Sequence, residues 1–139
     1  MFIGKYYYRL EAKGRVSLPK SFRADQKNWV ITRGLDGALF LFPKKAYETE
    51  VNKLAQLSTN RRVVRDAIRL LSNDAANLTP DKLGRISIPE HLIKSSGLTK
   101  NLVIVGSISK IEIWDREVYH TYIETLTKHA ETTIEQLDS

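Results

Sequence analysis

The sequence predicts an α+β fold, mainly β, in which one small β unit occurs twice and helices flank both copies. The first observation behind this is an internal repeat. Leu10 to Leu18 return at an offset of 70 residues, and "WVITRGLDGALFLFPKKAY" meets "NLVIVGSISKIEIWDREVY" at an offset of 72. In that alignment Gly34 falls on Gly106, Leu39 on Ile111, Leu41 on Ile113, Phe42 on Trp114 and Tyr47 on Tyr119. The second observation is a set of short runs rich in branched and aromatic residues, which is the composition of strands. The third is that long helical stripes of apolar residues gather behind the last strand of each copy. Two copies are too few for a solenoid, so a closed, pseudo-symmetric double-repeat barrel is expected.

Each copy can be followed in order. "KYYYRLE" reads as a first strand and "GRVSLP" as a second, joined by a tight hairpin whose acidic-x-x-Gly-Arg has turn character. Gly14 and Gly84 can supply the positive φ that such a turn commonly needs. Pro19 and Pro89 cannot continue a central strand but suit the first turn of a helix, so "KSFRAD" and "EHLIKSSG" are short helices, the latter stopped by Gly97. Strands "WVITRG" and "GALFLF" follow in the first copy, turned by "LDG"; "NLVIVG" and "KIEIW" follow in the second. Pro43 opens a helix to about Leu57 with Tyr47, Val51 and Leu54 on one stripe. Ser58, Thr59 or Asn60 caps another, with Val63, Val64, Ala67, Ile68 and Leu71 facing the core and Arg61, Arg62, Arg65 and Arg69 opposite. Asp115 caps the helix of the second copy, whose stripe holds Tyr119, Ile123, Leu126 and Ala130. The tail "ETTIEQLDS" continues it, with Ile134 and Leu137 as contact residues for another chain or for the body.

Composition narrows the function classes. The 139 residues fit one ordinary domain or two very small ones sharing a core, and 42% hydrophobic with 27% charged residues favours folding over disorder. Without cysteine there is no disulfide framework, thiolate zinc site or cysteine nucleophile. No segment approaches the roughly 20 apolar residues that cross a bilayer, and "MFIGKYYYRL" lacks a leader's apolar run, so a soluble, cytoplasmic protein is expected. His91, His120 and His129 lack metal spacing, and no phosphate loop, dinucleotide fingerprint or G-x-S-x-G appears. An enzyme is therefore not expected, nor any cofactor or small-molecule substrate. Charge is uneven: residues 1–70 hold 15 Lys and Arg against 6 Asp and Glu, whereas residues 71–139 hold 7 against 10. A basic half beside an acidic one suggests a polyanion at one end and subunit contacts at the other.

The paired motif, with "TRGLDGALFLFP" between its copies, resembles the MraZ family of bacterial transcriptional regulators. The resemblance rests on "MFIGKYYYRLEAKGRVSLPKSFR", on that central stretch, and on "DKLGRISIP" and "IEIWDREVY", and runs from Met1 to about Leu126. It implies two AbrB-like (SpoVT-AbrB) swapped-hairpin units, at 5–50 and 77–122, joined by a helical connector at 51–76 and followed by a helical tail at 123–139. It also implies sequence-specific binding of double-stranded DNA at G-rich direct repeats upstream of the division and cell-wall operon that encodes the regulator. A ring-shaped homo-oligomer and nucleoid association go with it. The family's acidic-x-x-x-Arg falls on Glu11 with Arg15 and on Asp81 with Arg85. Where Glu11 stands the family usually has Asp, the better acceptor for turn amides, so the first turn is expected to be looser.

The chemistry of that motif can be argued from the side chains. A guanidinium on a projecting turn can donate two parallel hydrogen bonds to guanine O6 and N7, a contact that discriminates by about 1 to 3 kcal/mol. Lys5, Arg9, Lys13 and Arg15 lie on the first hairpin and its approach, with Lys20 and Arg23 just after it; the lysines suit phosphate. The second hairpin offers only Lys82 and Arg85, beside Asp81 and Glu90. The first copy is thus expected to read bases while the second is turned toward assembly. The alternative for either arginine is to stiffen its own turn by pairing with Glu11 or Asp81. Gly14, Gly84, Pro19 and Pro89 are expected to be backbone devices. Another class of function is a pure interaction module, such as an antitoxin built on an AbrB-like unit.

Overall fold

The computed structural model describes residues 1–23 and 26–138. Its eight strands are β1 (Lys5–Arg9), β2 (Arg15–Ser17), β3 (Trp29–Arg33), β4 (Leu39–Pro43), β5 (Ala76–Leu78), β6 (Arg85–Ser87), β7 (Asn101–Ser107) and β8 (Lys110–Asp115). Six helices accompany them: α1 (Lys20–Arg23), α2 (Lys44–Ala55), α3 (Arg62–Ser72), α4 (Glu90–Ser95), α5 (Arg116–Lys128) and α6 (Ala130–Glu135). The end of the expected helix "KSFRAD", at Ala24 and Asp25, and the last residue of the tail, Ser139, lie outside the described residues.

The strands form an antiparallel six-stranded sheet in the order β1-β7-β8-β4-β3-β5 and a separate antiparallel ribbon, β2-β6. Among the described residues the sheet is open, with β1 and β5 at its edges, so the expected closed barrel is not found. The expected local hairpin is corrected as well. The chain does fold back at each motif, with the Glu11 amide donating to the Arg15 carbonyl at 2.7 Å and the Asp81 amide to the Arg85 carbonyl at 2.8 Å. Beyond that turn the two strands part: β1 pairs with β7 of the other half, and β2 pairs with β6. Likewise β5 pairs with β3. Each half thus hands its opening strand to the other.

Exchanging the halves reverses the sheet order and leaves it unchanged, so the fold has a pseudo-two-fold axis. Two register pairs mark it. Val16 lies opposite Ile86, its own counterpart in the repeat, and Phe40 lies opposite Glu112, likewise its counterpart. The axis runs through the ribbon at the first pair and through the sheet at the second.

Alternation then sorts side chains to two faces. On one face Trp29, Ile31, Leu39, Leu41, Leu102, Ile104, Ile111 and Ile113 meet the inward residues of the ribbon and the short helices, namely Val16, Ile86, Leu18, Ile88, Phe22 and Leu92; all are buried. The other face carries the longer helices, with α5 laid on β7 and β8 through Tyr119 and Trp114, and α2 and α3 on β3 and β4. Here Tyr47 on α2 donates to the Leu71 carbonyl at 3.1 Å. The Asp115 carboxylate caps α5 as expected, accepting from the Val118 amide at 3.4 Å and from the Thr99 hydroxyl at 2.6 Å. At α3 the expectation fails: Arg61 is the N-cap without a side-chain bond, and Arg65 instead donates back to the Thr59 and Asn60 carbonyls at 2.8 and 3.0 Å. Ile134 and Leu137 are largely exposed, so they do not pack on the body.

Because neither half owns a complete sheet or ribbon, the two should unfold together. Trp29 and Trp114, one in each half, report this separately. Variants keeping only one of them (Trp114→Phe or Trp29→Phe) are expected each to show a single denaturant transition, and a common destabilising change should lower the stability reported by each by the same amount. For that change, Ile86→Ala at the axis should cost about 2 to 5 kcal/mol in both. A midpoint lowered for Trp114 alone would mean independent halves.

Candidate nucleic-acid interface

The ribbon is where the repeated motif surfaces. Val16 and Ile86 point into the core, so Arg15, Ser17, Arg85 and Ser87 share its outer face by alternation. The ribbon is extended by reciprocal bonds that tie each strand to the other half's turn: the Leu18 amide donates to the Gly84 carbonyl at 3.0 Å and the Ile88 amide to the Gly14 carbonyl at 2.8 Å. The two turns of the motif are thereby brought side by side, although 70 residues separate them in sequence.

The turns differ in how they are held. Asp81 Oδ1 accepts from the amides of Leu83 and Arg85, each at 2.9 Å, and Oδ2 accepts from Arg85 Nε at 2.9 Å. The Asp81 carboxyl therefore sits below its ordinary pKa: the Arg85 amide lowers it most, desolvation opposes this, and the Arg85 guanidinium and the Leu83 amide add to the lowering. Glu11 makes no such bond to its own turn. Its longer side chain reaches across to Arg85 Nη1, at 3.3 Å. In this first turn both Lys13 and Gly14 take left-handed backbone, φ 63° and 71°, whereas in the second only Gly84 does, at 79°. A non-glycine residue in that region costs about 1 to 2 kcal/mol, which fits the looser first turn read from Glu11.

The two motif arginines are thus in opposite situations. Arg85 is held by Asp81 and Glu11 together, and its side chain is only 20% exposed. Arg15 donates from Nε to the Ala12 carbonyl at 3.2 Å, and among the described residues no carboxylate pairs with it. Among the described residues the other guanidinium donors of Arg15 make no hydrogen bond.

Of the other residues expected at a site, Lys13 and Lys82 are exposed on the two turns. Pro19 and Pro89 immediately precede α1 and α4, as the sequence suggests. Lys5 and Arg9 are not brought to the turns by β1. They lie on the sheet face that carries α5, where Lys5 Nζ is 5.9 Å from the Tyr119 ring centroid and the neighbouring Tyr7 stacks on His120. The structure adds a residue that the sequence places with the other turn: Arg23 Nη1 donates to the Leu83 carbonyl at 3.2 Å, so this first-half cation sits on the second turn. The only sequence signal for it is the α1–α4 equivalence, which cannot say whose turn each helix covers.

The three histidines are dispersed, His91 at the Asp74 carbonyl, His120 on Tyr7 and His129 at the Thr125 carbonyl. Among the described residues no group of His, Asp and Glu could hold a metal ion, and no helix is long and apolar enough to cross a membrane.

The depressed Asp81 carboxyl makes a pH prediction. A folded-state pKa below the unfolded value of about 3.9 means that the stabilisation is complete above that value and disappears as pH falls through the lower, folded one. Asp81→Asn should therefore be less stable than the parent at pH 7, with the gap closing on acidification below about pH 4. Parallel urea titrations across pH 7 to 2.5 would check it, and a gap independent of pH would rule out the charged pair as its cause.

Comparison with known protein families follows the same internal symmetry. The model of the MraZ protein family, whose description is antitoxin-like, matches the chain twice, over residues 1–69 and again over residues 71–137. The boundary between the matches falls between the two halves that exchange strands, and together they span nearly the whole sequence: the chain belongs to the MraZ family.

Proposed function

We propose that the protein binds double-stranded DNA sequence-specifically and regulates transcription from the region upstream of its own operon of division and cell-wall genes. The observation that carries this reading is the asymmetry of the two motif arginines on one exposed ribbon face. Among the described residues no carboxylate pairs with the Arg15 guanidinium, as suits a donor to guanine O6 and N7, while Arg85 is paired with Asp81 and Glu11. Arg15 reads the base; Lys13 beside it meets phosphate. Arg85 braces the pair of turns so that Arg15 is presented in one orientation, and Lys5 and Arg9, on the far sheet face, act at most through the general basic field.

The exchange of opening strands supports reading each half as a swapped-hairpin unit, at 5–50 and 77–122, with the connector 51–76 and the tail 123–139 outside them. One reading arginine per chain recognises only a few base pairs, so useful specificity needs several chains on one duplex. Direct G-rich repeats require copies related head to tail, and a ring of such copies meets that requirement where a two-fold dimer does not. The basic first half and acidic second half supply complementary ends for that contact. Action on the chromosome places the protein in the cytoplasm at the nucleoid.

A second reading is favoured by the exposed Ile134 and Leu137 on the tail: a protein-interaction role of the antitoxin kind, with α6 as the contact. Mobility shifts on the upstream duplex separate the two. Arg15→Ala should lose specific retention, by about 1 to 3 kcal/mol for each engaged chain, with the oligomer intact, while Arg85→Ala should lower stability more than it lowers specificity. Absence of retention at low salt would sink the regulator reading, and greater loss of specificity from Arg85→Ala would reverse the roles. Light scattering at micromolar concentration is expected to give a multimer; a monomer alone would end the ring proposal.

A further inference from the structure

Along the sequence, the second turn has only Lys82 and Arg85 as cations, and Arg85 is consumed by carboxylates. In space it has more. The strand exchange lays α1 of the first half over the second turn, and α4 of the second half over the first. The two helices occupy equivalent places but differ in chemistry. Over Gly14 sits the Ile93 side chain, 3.1 Å from where a Cβ would be; over Gly84 sits the Arg23 guanidinium, whose Nη1 lies 1.0 Å from the corresponding point. Gly84 is favoured by its positive φ, and a side chain there would push the Arg23 guanidinium off its seat.

Arg23 and Lys27 from the first half, with Lys82 from the second, line an open groove of about 300 Å³ floored by Gly84 and edged by Thr79. One Arg23 donor is spent on the Leu83 carbonyl, which holds the head in place and leaves others for a ligand. Among the described residues the carboxylate lining this groove is Asp81, and it does not oppose an incoming anion at full strength, since both its oxygens already accept from Leu83 and Arg85. An arginine head held at the Leu83 carbonyl, two lysines and a threonine around an open hollow match a tetrahedral phosphodiester, whose charge they can meet without reading sequence.

We infer that this groove is a seat for a DNA backbone phosphate, assembled from both halves, so that the two turns divide the work: the first reads bases and the second grips the backbone and sets the register. The inference rests on the DNA-binding reading above. It also assigns Arg23 to the second turn as a phosphate ligand, and to Gly84 the role of making room for it.

Salt dependence tests it, because each phosphate neutralised on B-DNA adds about −0.9 to the slope of log K against log salt. Binding of the full chain would be followed by fluorescence anisotropy on its own upstream duplex and on a shuffled duplex of the same length. Lys27→Ala with Lys82→Ala, and separately Arg23→Gln, should make the slope less negative by about 0.9 for each phosphate that is no longer neutralised, equally on both duplexes, leaving the affinity ratio between them within about twofold. Arg23→Lys, which keeps the charge, should retain most of the slope. Gln can still donate to the Leu83 carbonyl, and the two lysines are exposed, so the lysine pair decides the matter even if the Arg23 variant fails to fold. Unchanged slopes, with Arg15→Ala still collapsing the ratio, would overturn the seat and leave the regulator standing. A ratio altered by the groove variants would overturn it too, since the groove would then touch bases. No preference of the parent for its upstream duplex would instead defeat the regulator reading, while the slopes would still judge the seat.

Discussion

The pairing of β2 with β6 at the pseudo-two-fold axis is the constraint on which the molecule depends. Three residues from each half make the ribbon, too few to be stable alone, and its permanence comes from Val16 and Ile86, fully buried against the sheet. Everything functional is then a consequence of where the ribbon ends. The two motif turns lead into its strands, and because the strands are antiparallel and in register, each turn is tied by a backbone bond to the chain that leaves the other half's ribbon strand. A shift of register by one residue would turn Val16 and Ile86 out to solvent and Arg15 and Arg85 into the core, so burial and display are specified by the same pairing.

Exchange of strands between the halves explains how a duplicated sequence can diverge without losing its fold. The apolar positions at the axis face their own counterparts and must stay mutually compatible, whereas the polar positions above them need only avoid conflict. Glu11 and Asp81 show the result. One methylene separates them, yet Asp81 closes its own turn through two amides while Glu11 crosses to the other turn to bind Arg85. The second motif's arginine receives both carboxylates, and the first motif's arginine receives neither of them. A small asymmetry in side-chain length thus assigns different work to two copies of one motif.

The same exchange decides which charges act together. Lys5, Arg9, Lys13 and Arg15 are near neighbours along the chain, but β1 carries the first two on the sheet face that bears α5, while Lys13 stays on the turn and Arg15 on the ribbon. Arg23, which follows the first motif, meets the second. Linear proximity to a motif is therefore a poor guide to electrostatic surroundings in a fold whose elements cross between halves.

Much of this was legible in the residues. The repeat, the turn glycines, the prolines that open α1 and α4, the cap at Asp115 and the alternation of the strands are local, and the physics that enforces them is local too: φ restrictions, capping bonds and side-chain period. The motif arginines could be named because the motif occurs twice in the same form. What the residues could not disclose was partnership. A strand's alternation states which face is buried but not which strand lies beside it, so the expected hairpin, the closed barrel and the grouping of Lys5 and Arg9 with the turn all depended on pairings that only tertiary structure chooses. It chose exchange, where each apolar strand finds the other half's complementary face, and with that choice it determined which arginine is braced and which is left free.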